Sequence, residues 1–329
     1  MSEHIRDEIL RVQGLKKYFK TPSGTLHAVD DVNLSIGRQE TLGVVGESGC
    51  GKSTLGRTVL RLHDATAGEV FFEGENILTY NKRQMKDLKK RMQIIFQDPF
   101  SSLNPRMTVG QLIANPLLIQ KKISPRDKAG LQQKVTEMMD TVGLASRLQH
   151  SYPHELDGGR RQRIGIARAL SLQPKFIVCD EPVSALDVSI QAQILNLMQD
   201  LQKEFGLTYL FITHDLSVVK HLCDNIVVMY LGKVVEQCPT QEIFKNPMHP
   251  YTQALLSAIP MPDPDYSMER IILKGELSSP IDPKPGCRFA LRCNYAIPAC
   301  SAQDVRLMEL APGHAVACIR AKELGGMGV

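Results

Sequence analysis

The order of hydrophobic and polar positions divides the first half of the chain into strand-like and helix-like stretches. Near the start, LHAVDDVNLSI alternates apolar and polar residues, and ETLGVVGESGCGKST joins a short apolar run to a glycine-rich loop. These patterns predict a strand, followed by a second strand, a loop and the start of a helix. From about residue 74 to residue 171, apolar residues recur at three- and four-residue spacing, as in KAGLQQKVTEMMDTVGL. This spacing predicts a mainly helical region.

Short apolar runs return after this helical region. FIVCDE, TYLFITH and NIVVMYLG each predict a strand, and QAQILNLMQDLQKEF predicts a helix between the first two. Strands that alternate with helices indicate an α/β fold with a mostly parallel sheet covered by helices. We therefore predict a helical subdomain, at about residues 98–172, inserted into such a fold.

The composition of the chain changes after Ile259. PMPDPDYSME and SSPIDPKPGC are rich in proline and aspartate, which is typical of a linker followed by a loop-rich segment. We expect one large domain at residues 1–260 and a small cysteine-rich C-terminal module at residues 261–329.

Composition and charge narrow the class of protein. The 329 residues are 43% hydrophobic, which is enough for a substantial core. The formal charge of +4 is small beside 39 basic and 35 acidic residues, so we expect no nucleic-acid partner. No run approaches the roughly 18 apolar residues needed to cross a bilayer, and the N-terminus lacks a signal pattern. We expect a cytosolic protein whose eight cysteines are reduced.

The glycine-rich loop carries the strongest chemical signal in the chain. Gly46, Gly51, Lys52 and Ser53 match the pattern G-x-x-x-x-G-K-[ST], in which backbone N–H groups surround phosphate oxygens. We expect Lys52 to reach the β- and γ-phosphates of ATP and Ser53 to bind Mg²⁺. A helix from about Thr54 would point its positive end at the phosphates. The other residues of this predicted phosphate site are Glu47, Ser48, Gly49 and Cys50.

Polar residues at the ends of predicted strands are candidates for metal binding and catalysis. Asp180 and Glu181 follow FIVC, at the carboxyl edge where open α/β sheets bind ligands. We expect Asp180 to bind Mg²⁺ and Glu181 to act as a general base or to position water. Gln97 follows IIF and is a candidate partner of the metal or of the attacking water, and His214 follows YLFIT.

The order of these motifs resembles that of ATP-binding cassette transporter subunits throughout residues 10–260. The motifs are the glycine-rich loop, Gln97, Gly158-Gly159, Asp180-Glu181, Ser184-Ala185-Leu186-Asp187 and His214. The resemblance implies a P-loop ATPase with an N-terminal antiparallel β portion, a D-loop through Asp187 and a switch histidine at His214. It also implies an aromatic platform for adenine, for which Phe19 is the candidate and Tyr18 its neighbour. Packing within a strand is the alternative for both rings.

Longer segments are similar to the oligopeptide, dipeptide and nickel uptake branch of that family. They include DEPVSALDVSIQAQILNLMQDLQ, HDLSVVKHLCDNIVVMYLG and NPMHPYTQALLSAIP. The resemblance implies a peripheral ATPase at the cytoplasmic face of the plasma membrane. Its expected partners are a second, different ATPase subunit, two membrane permeases and an extracytoplasmic binding protein. Peptide is the expected substrate, nickel or another small solute is the alternative, and a soluble cassette ATPase acting on nucleic acid or ribosomes is a further one.

One motif departs from the family pattern. The family has Leu-Ser-Gly-Gly-Gln, which acts on the ATP of the other subunit, whereas this chain has Leu156-Asp157-Gly158-Gly159-Arg160. An aspartate would be repelled from phosphate by about 4 kcal/mol per unit charge at roughly 4 Å and an effective dielectric of 20. Arg160 would offset part of this by pairing with Asp157 or with the phosphate. We expect one working and one weak ATP site in the pair; the alternative is a loop that tolerates both residues.

Four cysteines lie late in the chain, at Cys287, Cys293, Cys300 and Cys318. Four thiols suit zinc or an iron–sulfur cluster, and their five, six and seventeen intervening residues are looser than the usual spacing of structural zinc. From the residues alone, a cluster, zinc and no metal all remain open. The pattern from Gly286 to HAVAC at residues 314–318 is similar to [4Fe-4S] modules of the uptake branch, which implies a structural cluster. Arg288, Arg292 and Arg320 would offset the thiolate charge.

The segment after Gln97 is the expected contact with the permeases. DPFSSLNPRMTVGQLIANPL mixes turn residues with an apolar face that we expect to be exposed. The alternative is that these apolar side chains form the core of the helical subdomain.

Overall fold

A computed structural model describes residues 7–259, 270–275 and 279–324. The linker expected at residues 260–269 therefore lies outside the described residues. The chain divides into two compact units. The first unit comprises residues 1–9, 37–40 and 79–211, and the second comprises residues 10–36, 41–78 and 212–329.

Strands and helices alternate in only part of the chain. Among the described residues the strands are β1 (Glu8–Thr21), β2 (Gly24–Gly37), β3 (Thr41–Val45), β4 (Ala67–Phe72), β5 (Glu75–Asn76), β6 (Met92–Ile95), β7 (Phe176–Asp180), β8 (Thr208–Thr213), β9 (Asn225–Tyr230), β10 (Lys233–Pro239), β11 (Met308–Ala311) and β12 (His314–Val316). The helices are α1 (Lys52–Val59), α2 (Lys82–Arg91), α3 (Pro99–Ser102), α4 (Val109–Ile119), α5 (Lys128–Thr141), α6 (Gly158–Leu170), α7 (Val188–Phe205), α8 (Leu216–Leu222), α9 (Thr240–Lys245), α10 (Pro250–Ser257), α11 (Pro298–Ala302) and α12 (Ala321–Leu324). None of these helices is both long enough and apolar enough to cross a membrane.

The first unit combines a parallel strand pair with the inserted helices. β6 runs parallel to β7, and every residue of β7 is buried, as its continuous apolar run predicts. Helices α3 to α6 lie between these two strands in the chain, where the helical subdomain is expected. Thr108 begins α4 with a capping box, in which its side chain and that of Gln111 bond each other's backbone N–H groups.

The apolar residues of the expected permease contact are mostly buried. Leu112, Ile113 and Leu117 of α4 are at most 3% exposed, and they line the face of the helix that packs into the subdomain. Among the large hydrophobic residues of this segment, Phe100 is the one that stands out, with 57% exposure. The expectation of an exposed apolar face is therefore wrong for α4, because its three- and four-residue spacing reflects a core stripe.

The second unit holds a mixed sheet and an antiparallel sheet. β3 runs parallel to β9, and β10, β12 and β11 continue from β9 as antiparallel neighbours. The expected parallel pairing therefore holds for β3 with β9, whereas the antiparallel edge was not anticipated. A separate sheet has the order β2-β1-β4-β5, with β4 antiparallel to both β1 and β5. This sheet is the N-terminal antiparallel portion that the resemblance implies.

The late segment of the chain shares its sheet and core with the second unit. β12 pairs with β10, so that Val316 lies opposite Glu236. Ile281 forms a β-bridge to Leu26. Phe289 is 1% exposed and packs against buried tyrosines of β9 and α10. The loop-rich residues after 279 are thus built onto the same structure that carries the glycine-rich loop.

Candidate functional site

The phosphate loop, residues 46–53, leads from β3 into α1 with a backbone that requires glycine. Gly46 has φ 151° and Gly51 has φ 104°. A Cβ atom at Gly46 would collide with the carbonyl oxygen of Met229, and one at Gly51 with that of Ala28. Both positions therefore exclude other residues. Helix α1 begins at Lys52, two residues before the expected start at Thr54.

The side chain of Lys52 folds back over this loop. It is 4% exposed, and its Nζ donates to the carbonyl oxygens of Gly46 at 2.7 Å and of Glu47 at 3.0 Å. An ammonium group that is nearly buried needs such partners, because burying a charge without them is costly. The loop therefore holds a positive charge beside its own backbone, an arrangement that suits an incoming phosphate oxygen.

In the first unit, β7 delivers two buried carboxylates at its carboxyl end. Asp180 is 1% exposed and Glu181 is 8% exposed. Gln97, which follows β6, donates from Nε2 to Glu181 Oε2 at 2.8 Å, so the structure brings these two predicted residues together. Glu181 has φ 47°, a left-handed conformation that costs about 1–3 kcal/mol in a residue other than glycine. Such strain is typical of functional sites.

His214 is a candidate residue of the second unit outside the phosphate loop. It follows β8 directly and is exposed.

The two candidate aromatic residues for adenine, Tyr18 and Phe19, lie in β1. Tyr18 donates from its hydroxyl to Asp30 at 2.5 Å and stacks on His27, with ring centroids 3.9 Å apart. Burial and the bond to Asp30 raise the pKa of Tyr18. The ring of Phe19 is half-buried, with Lys17 Nζ 4.7 Å from its centroid. Tyr18 thus belongs to a polar network with Asp30 and His27, whereas the ring of Phe19 lies edge-on to that of His63, with centroids 5.7 Å apart.

Residues 156–160, whose sequence differs from the family signature, lead into α6 in the first unit. Asp157 is the N-cap residue, and its Oδ1 accepts from the backbone N–H of Arg160 at 2.8 Å. Its Oδ2 lies 3.4 Å from Arg160 Nη1, so the pairing of the two charges expected from the sequence is present. A Cβ atom at Gly158 would lie 2.9 Å from Leu186, so this loop packs against the segment that leads to exposed Asp187.

Sequence reasoning missed the residues that hold Glu47 of the phosphate loop. Arg292 donates from Nη1 and Nη2 to the two carboxylate oxygens of Glu47, at 2.8 and 3.2 Å. The hydroxyl of Tyr251 accepts from the backbone N–H of Glu47 at 2.9 Å. The partners are separated by 245 and 204 positions, and no local pattern reveals contacts over such distances.

Two of the three arginines expected to balance the thiolates are engaged elsewhere. Arg292 pairs with Glu47, and Arg288 pairs with Asp30 and donates to the carbonyl oxygen of Leu231. For these two arginines the expectation is wrong, because their guanidinium groups reach carboxylates of other elements. Arg320 pairs with Glu323, and its charge opposes part of the rise that burial causes in the pKa of the Cys293 thiol.

The four late cysteines are free thiols that interact with one another. Burial, together with the charges of the other three, raises the pKa of the Cys287 thiol to about 11. Burial is also the main cause of the raised pKa values of Cys293 and Cys318. Cys287 donates its backbone N–H to the carbonyl oxygen of Cys300 at 2.7 Å. Within the part of the chain that the structure describes, no group of three or more His, Cys, Asp or Glu residues is arranged to hold a metal ion.

Comparisons with known sequences cover nearly the whole chain. Residues 29–184 match the family model for ABC transporters, and residues 235–300 match that for the C-terminal region of oligopeptide/dipeptide transporters. A putative peptide import ATP-binding protein of Brucella ovis is 51% identical over 312 residues, which covers 95% of this chain and 98% of the relative. The oligopeptide transport ATP-binding protein AppF of Bacillus subtilis is 50% identical over 323 residues, with 95% and 97% covered.

Solved structures agree with the sequence relatives. The ATP-binding cassette MJ0796, in a dimeric post-hydrolysis state bound to ADP and Pi, is 26% identical with a TM-score of 0.65, and the match covers 70% of this chain and 98% of that one. CbiO1 of Clostridium perfringens, part of the ABC transporter complex cbiONQ, is 31% identical with a TM-score of 0.64, and the match covers 72% and 91%. The chain therefore belongs to the ATP-binding cassette transporter family, as an ATPase of its oligopeptide/dipeptide branch.

Proposed function

We propose that this chain is the ATP-hydrolysing subunit of an importer that takes up oligopeptides or dipeptides. The observation that carries the proposal is identity of about 50% along 95% of the chain to proteins named for peptide import and oligopeptide transport. A phosphate loop with the glycine-specific backbone of a nucleotide site supports the ATPase role.

We assign the ATP site as follows. The backbone N–H groups of the phosphate loop and Lys52 bind the phosphates, because they offer several donors and a positive charge. Ser53, Gln97 and Asp180 would hold Mg²⁺, which supplies positive charge to neutralise the phosphate oxygens. Phe19 stacks on adenine, and His214 contacts the γ-phosphate.

Glu181 is the residue that we assign to the attacking water. Its carboxylate accepts a proton as the water oxygen bonds to the γ-phosphorus and the bond to the β-phosphate oxygen breaks. The hydrogen bond from Gln97 fixes one carboxylate oxygen, and the left-handed backbone sets the direction of the side chain. A base held in this way loses little orientational freedom when the reaction begins.

We further propose that the chain works beside a second, different ATPase subunit. In this pairing, its Lys52, Asp180 and Glu181 serve one ATP together with the partner's signature. Its own signature loop would face the partner's ATP, and the exposed Asp157 carboxylate would weaken that site. The ion pair to Arg160 reduces the repulsion but does not remove the charge, since both side chains are at least half exposed.

Membrane partners complete the proposal. ATP-driven closure of the two ATPase subunits would be passed to two permeases, which alternately expose the path for the peptide. An extracytoplasmic binding protein would deliver the peptide to the permeases. This chain would then lie at the cytoplasmic face of the membrane as a peripheral subunit. Its division into an ATPase domain at 1–260 and a C-terminal module at 261–329 stays a prediction.

We propose that the four late cysteines hold a [4Fe-4S] cluster. Burial raises the pKa values of Cys287, Cys293 and Cys318, and a hydrogen bond from the backbone N–H two residues ahead of each thiol opposes this rise. The charges of the other three thiols act on Cys287, so the four side chains lie near one another. The five, six and seventeen residues between the cysteines are looser than the spacing of structural zinc sites, which favours a cluster over zinc.

The metal content of the anaerobically purified chain tests this assignment. We expect about four irons per chain and an absorbance band at about 400 nm. Cys300→Ser should lose both signals, whereas Cys238→Ser, which changes a buried cysteine outside the group, should keep them. Stoichiometric zinc in place of iron would overturn the proposal.

Uptake by cells tests the transported substrate. A strain that carries the chain together with the second ATPase subunit, the permeases and the binding protein should take up a labelled tripeptide, and Lys52→Ala should abolish the uptake. Labelled nickel supplied to the same strains distinguishes the alternative substrate. Uptake of nickel but not of peptide would show that the peptide proposal is wrong.

A further inference from the structure

We propose that Arg292, with Tyr251, positions the phosphate loop for ATP, which gives the C-terminal region a role in nucleotide binding. Both residues lie within residues 235–300, the stretch matched by the family model for the oligopeptide/dipeptide C-terminal region. The inference rests on the proposed ATP site, and it adds residues that no motif of that site contains.

Glu47 is held at three points. Its backbone N–H donates to the hydroxyl of Tyr251 at 2.9 Å, and its carbonyl oxygen accepts from Lys52 Nζ at 3.0 Å. Its carboxylate receives two hydrogen bonds from Arg292. Two parallel hydrogen bonds between one guanidinium group and one carboxylate fix the orientation of the two groups as well as their distance. Glu47 is thus fixed both along the backbone and at its side chain.

Arg292 is itself fixed by its surroundings. Its side chain is 12% exposed, and its guanidinium carbon lies 5.9 Å from the centroid of the Tyr230 ring. Tyr230, Tyr251 and Phe289 pack edge-on or tilted against one another, with centroids 4.7 to 5.4 Å apart. These rings hold Arg292 and Tyr251 in one rigid cluster. Arg292 therefore holds Glu47, and with it the phosphate loop, in a fixed position.

A second contact supports the other side of the loop. Arg288 donates to the carbonyl oxygen of Leu231 and pairs with Asp30. The next residue, Gly232, donates its N–H to the carbonyl oxygen of Cys50 in the loop at 2.8 Å. Arg288 and Arg292 lie four positions apart, beside Cys287 and Cys293. One short segment thus supports the phosphate loop at both Glu47 and Cys50.

The ion pair between Arg292 and Glu47 has two physical consequences for ATP binding. A loop whose donors are already in place loses less conformational freedom when phosphate binds. The Glu47 carboxylate, next to a site for polyphosphate, would repel the nucleotide if Arg292 did not neutralise it. Loss of Arg292 should therefore weaken ATP binding more than it slows the chemical step, because Arg292 contacts neither the reacting atoms nor Glu181.

Binding of Mg·ATP to the full chain, measured by calorimetry, tests the proposal. Arg292→Gln should raise Kd by roughly tenfold, which corresponds to about 1.4 kcal/mol, while Arg292→Lys should keep part of the affinity. The exposed Arg306 lies in the same segment, and Arg306→Gln serves as a matched control that should leave Kd unchanged. In the assembled ATPase pair, Arg292→Gln should raise KM for ATP with little change in kcat.

A double variant separates loop positioning from a general folding role. Glu47→Gln removes the charge that Arg292 neutralises, so Arg292→Gln should cost less affinity in that background than in the native chain. Hydrogen exchange should become faster at residues 46–50 in Arg292→Gln, with Tm close to that of the control. Equal losses in both backgrounds, or a Kd unchanged in Arg292→Gln, would overturn the inference.

Lys52→Ala distinguishes failure of this inference from failure of the proposed ATP site. If native protein binds Mg·ATP and Lys52→Ala does not, the ATP site holds, and the Arg292 variants alone decide the inference. If Lys52→Ala binds Mg·ATP as the native chain does, the proposed ATP site and this inference both fail.

Discussion

Two residues of the proposed ATP site, Glu181 and Lys52, are held in arrangements that they would not adopt in an unconstrained chain. Glu181 has a left-handed backbone, is 8% exposed and accepts a hydrogen bond from Gln97. Lys52 is nearly buried and is solvated by two carbonyl oxygens of its own loop. Both arrangements cost folding free energy that is repaid by surrounding contacts, as is common where a protein carries out chemistry.

We expect Glu181→Gln to separate ATP binding from hydrolysis. The amide keeps the size of the side chain but cannot accept a proton, so turnover should fall by about 10²–10⁴-fold. The Kd for Mg·ATP should not rise, since the neutral amide does not repel phosphate. Steady-state phosphate release and calorimetry would measure the two quantities in the assembled complex.

Glu204→Gln is the matched control for that prediction. Glu204 is an exposed carboxylate in the same unit, near the end of α7, and its loss should leave turnover unchanged. If Glu181→Gln hydrolyses ATP at the native rate, another residue activates the water.

At the scale of elements, Asp157 and His249 each cap the N-terminus of a helix. Asp157 begins α6, where its carboxylate bonds a backbone N–H and pairs with Arg160. His249 begins α10, where its Nδ1 accepts from the backbone N–H of Tyr251 at 3.1 Å. A capping residue contributes about 1 kcal/mol to the stability of its helix. Each position therefore has a structural role in addition to any functional one.

Restoring the family signature should strengthen the ATP site that we propose to be weak. Serine caps a helix about as well as aspartate, so Asp157→Ser with Arg160→Gln should leave the stability of α6 nearly unchanged. Removal of the carboxylate should tighten ATP binding at the site that faces it by about tenfold or more. Titration of the assembled pair with a fluorescent ATP analogue would show whether a second tight site appears.

Arg126→Gln provides the control for the restored signature. Arg126 is an exposed arginine of the same unit that lies away from the signature, so its loss should leave the number of tight sites unchanged. A restored signature that leaves nucleotide binding unaltered would favour the alternative, in which the loop tolerates Asp157 and Arg160.

The stability of the chain should fall in mild acid because of His249. Burial lowers the pKa of His249 to about 4, from an ordinary value of 6.5. Between these pH values the unfolded chain takes up a proton that the folded chain does not. The free energy of unfolding should therefore decrease as pH falls from about 6.5 to about 4, by up to about 3 kcal/mol.

The variant His249→Asn isolates this contribution. Asparagine keeps a capping acceptor but does not titrate, so the decrease between pH 6.5 and pH 4.5 should be smaller than in the native chain. Urea unfolding at each pH measures the difference. His150→Asn, which changes an exposed histidine, should show the native dependence. A decrease as large in His249→Asn as in the native chain would mean that other groups cause it.

At the scale of the whole molecule, the predicted ATPase residues are divided between the two units. The first unit carries Gln97, Asp180, Glu181 and the signature, and the second carries the phosphate loop, His214 and the late cysteines. The matches to these two relatives cover 95% of this chain, so they run through both units. The departure in the signature makes the proposed role of the chain in a pair asymmetric.

The proposed asymmetry predicts how the chain behaves alone. The purified chain at micromolar concentration should bind Mg·ATP but remain monomeric by light scattering, because a pair of identical chains would place Asp157 against both nucleotides. Hydrolysis should rise by at least about tenfold when the second ATPase subunit is added, since that subunit supplies the signature. A chain that is dimeric and fully active by itself would contradict the heteromeric model.

The sequence by itself determined the local features of this protein. Glycine spacing identified the phosphate loop, because only certain backbone angles surround a phosphate, and apolar periodicity located the strands and helices that carry the motifs. The exposure of α4 was misjudged, because periodicity shows that a helix has an apolar face but does not show what covers it. Only the tertiary structure decided the contacts between distant residues, such as Arg292 with Glu47, Tyr251 with the same loop, and β12 with β10. These contacts depend on how separate elements pack, which no local pattern of residues encodes.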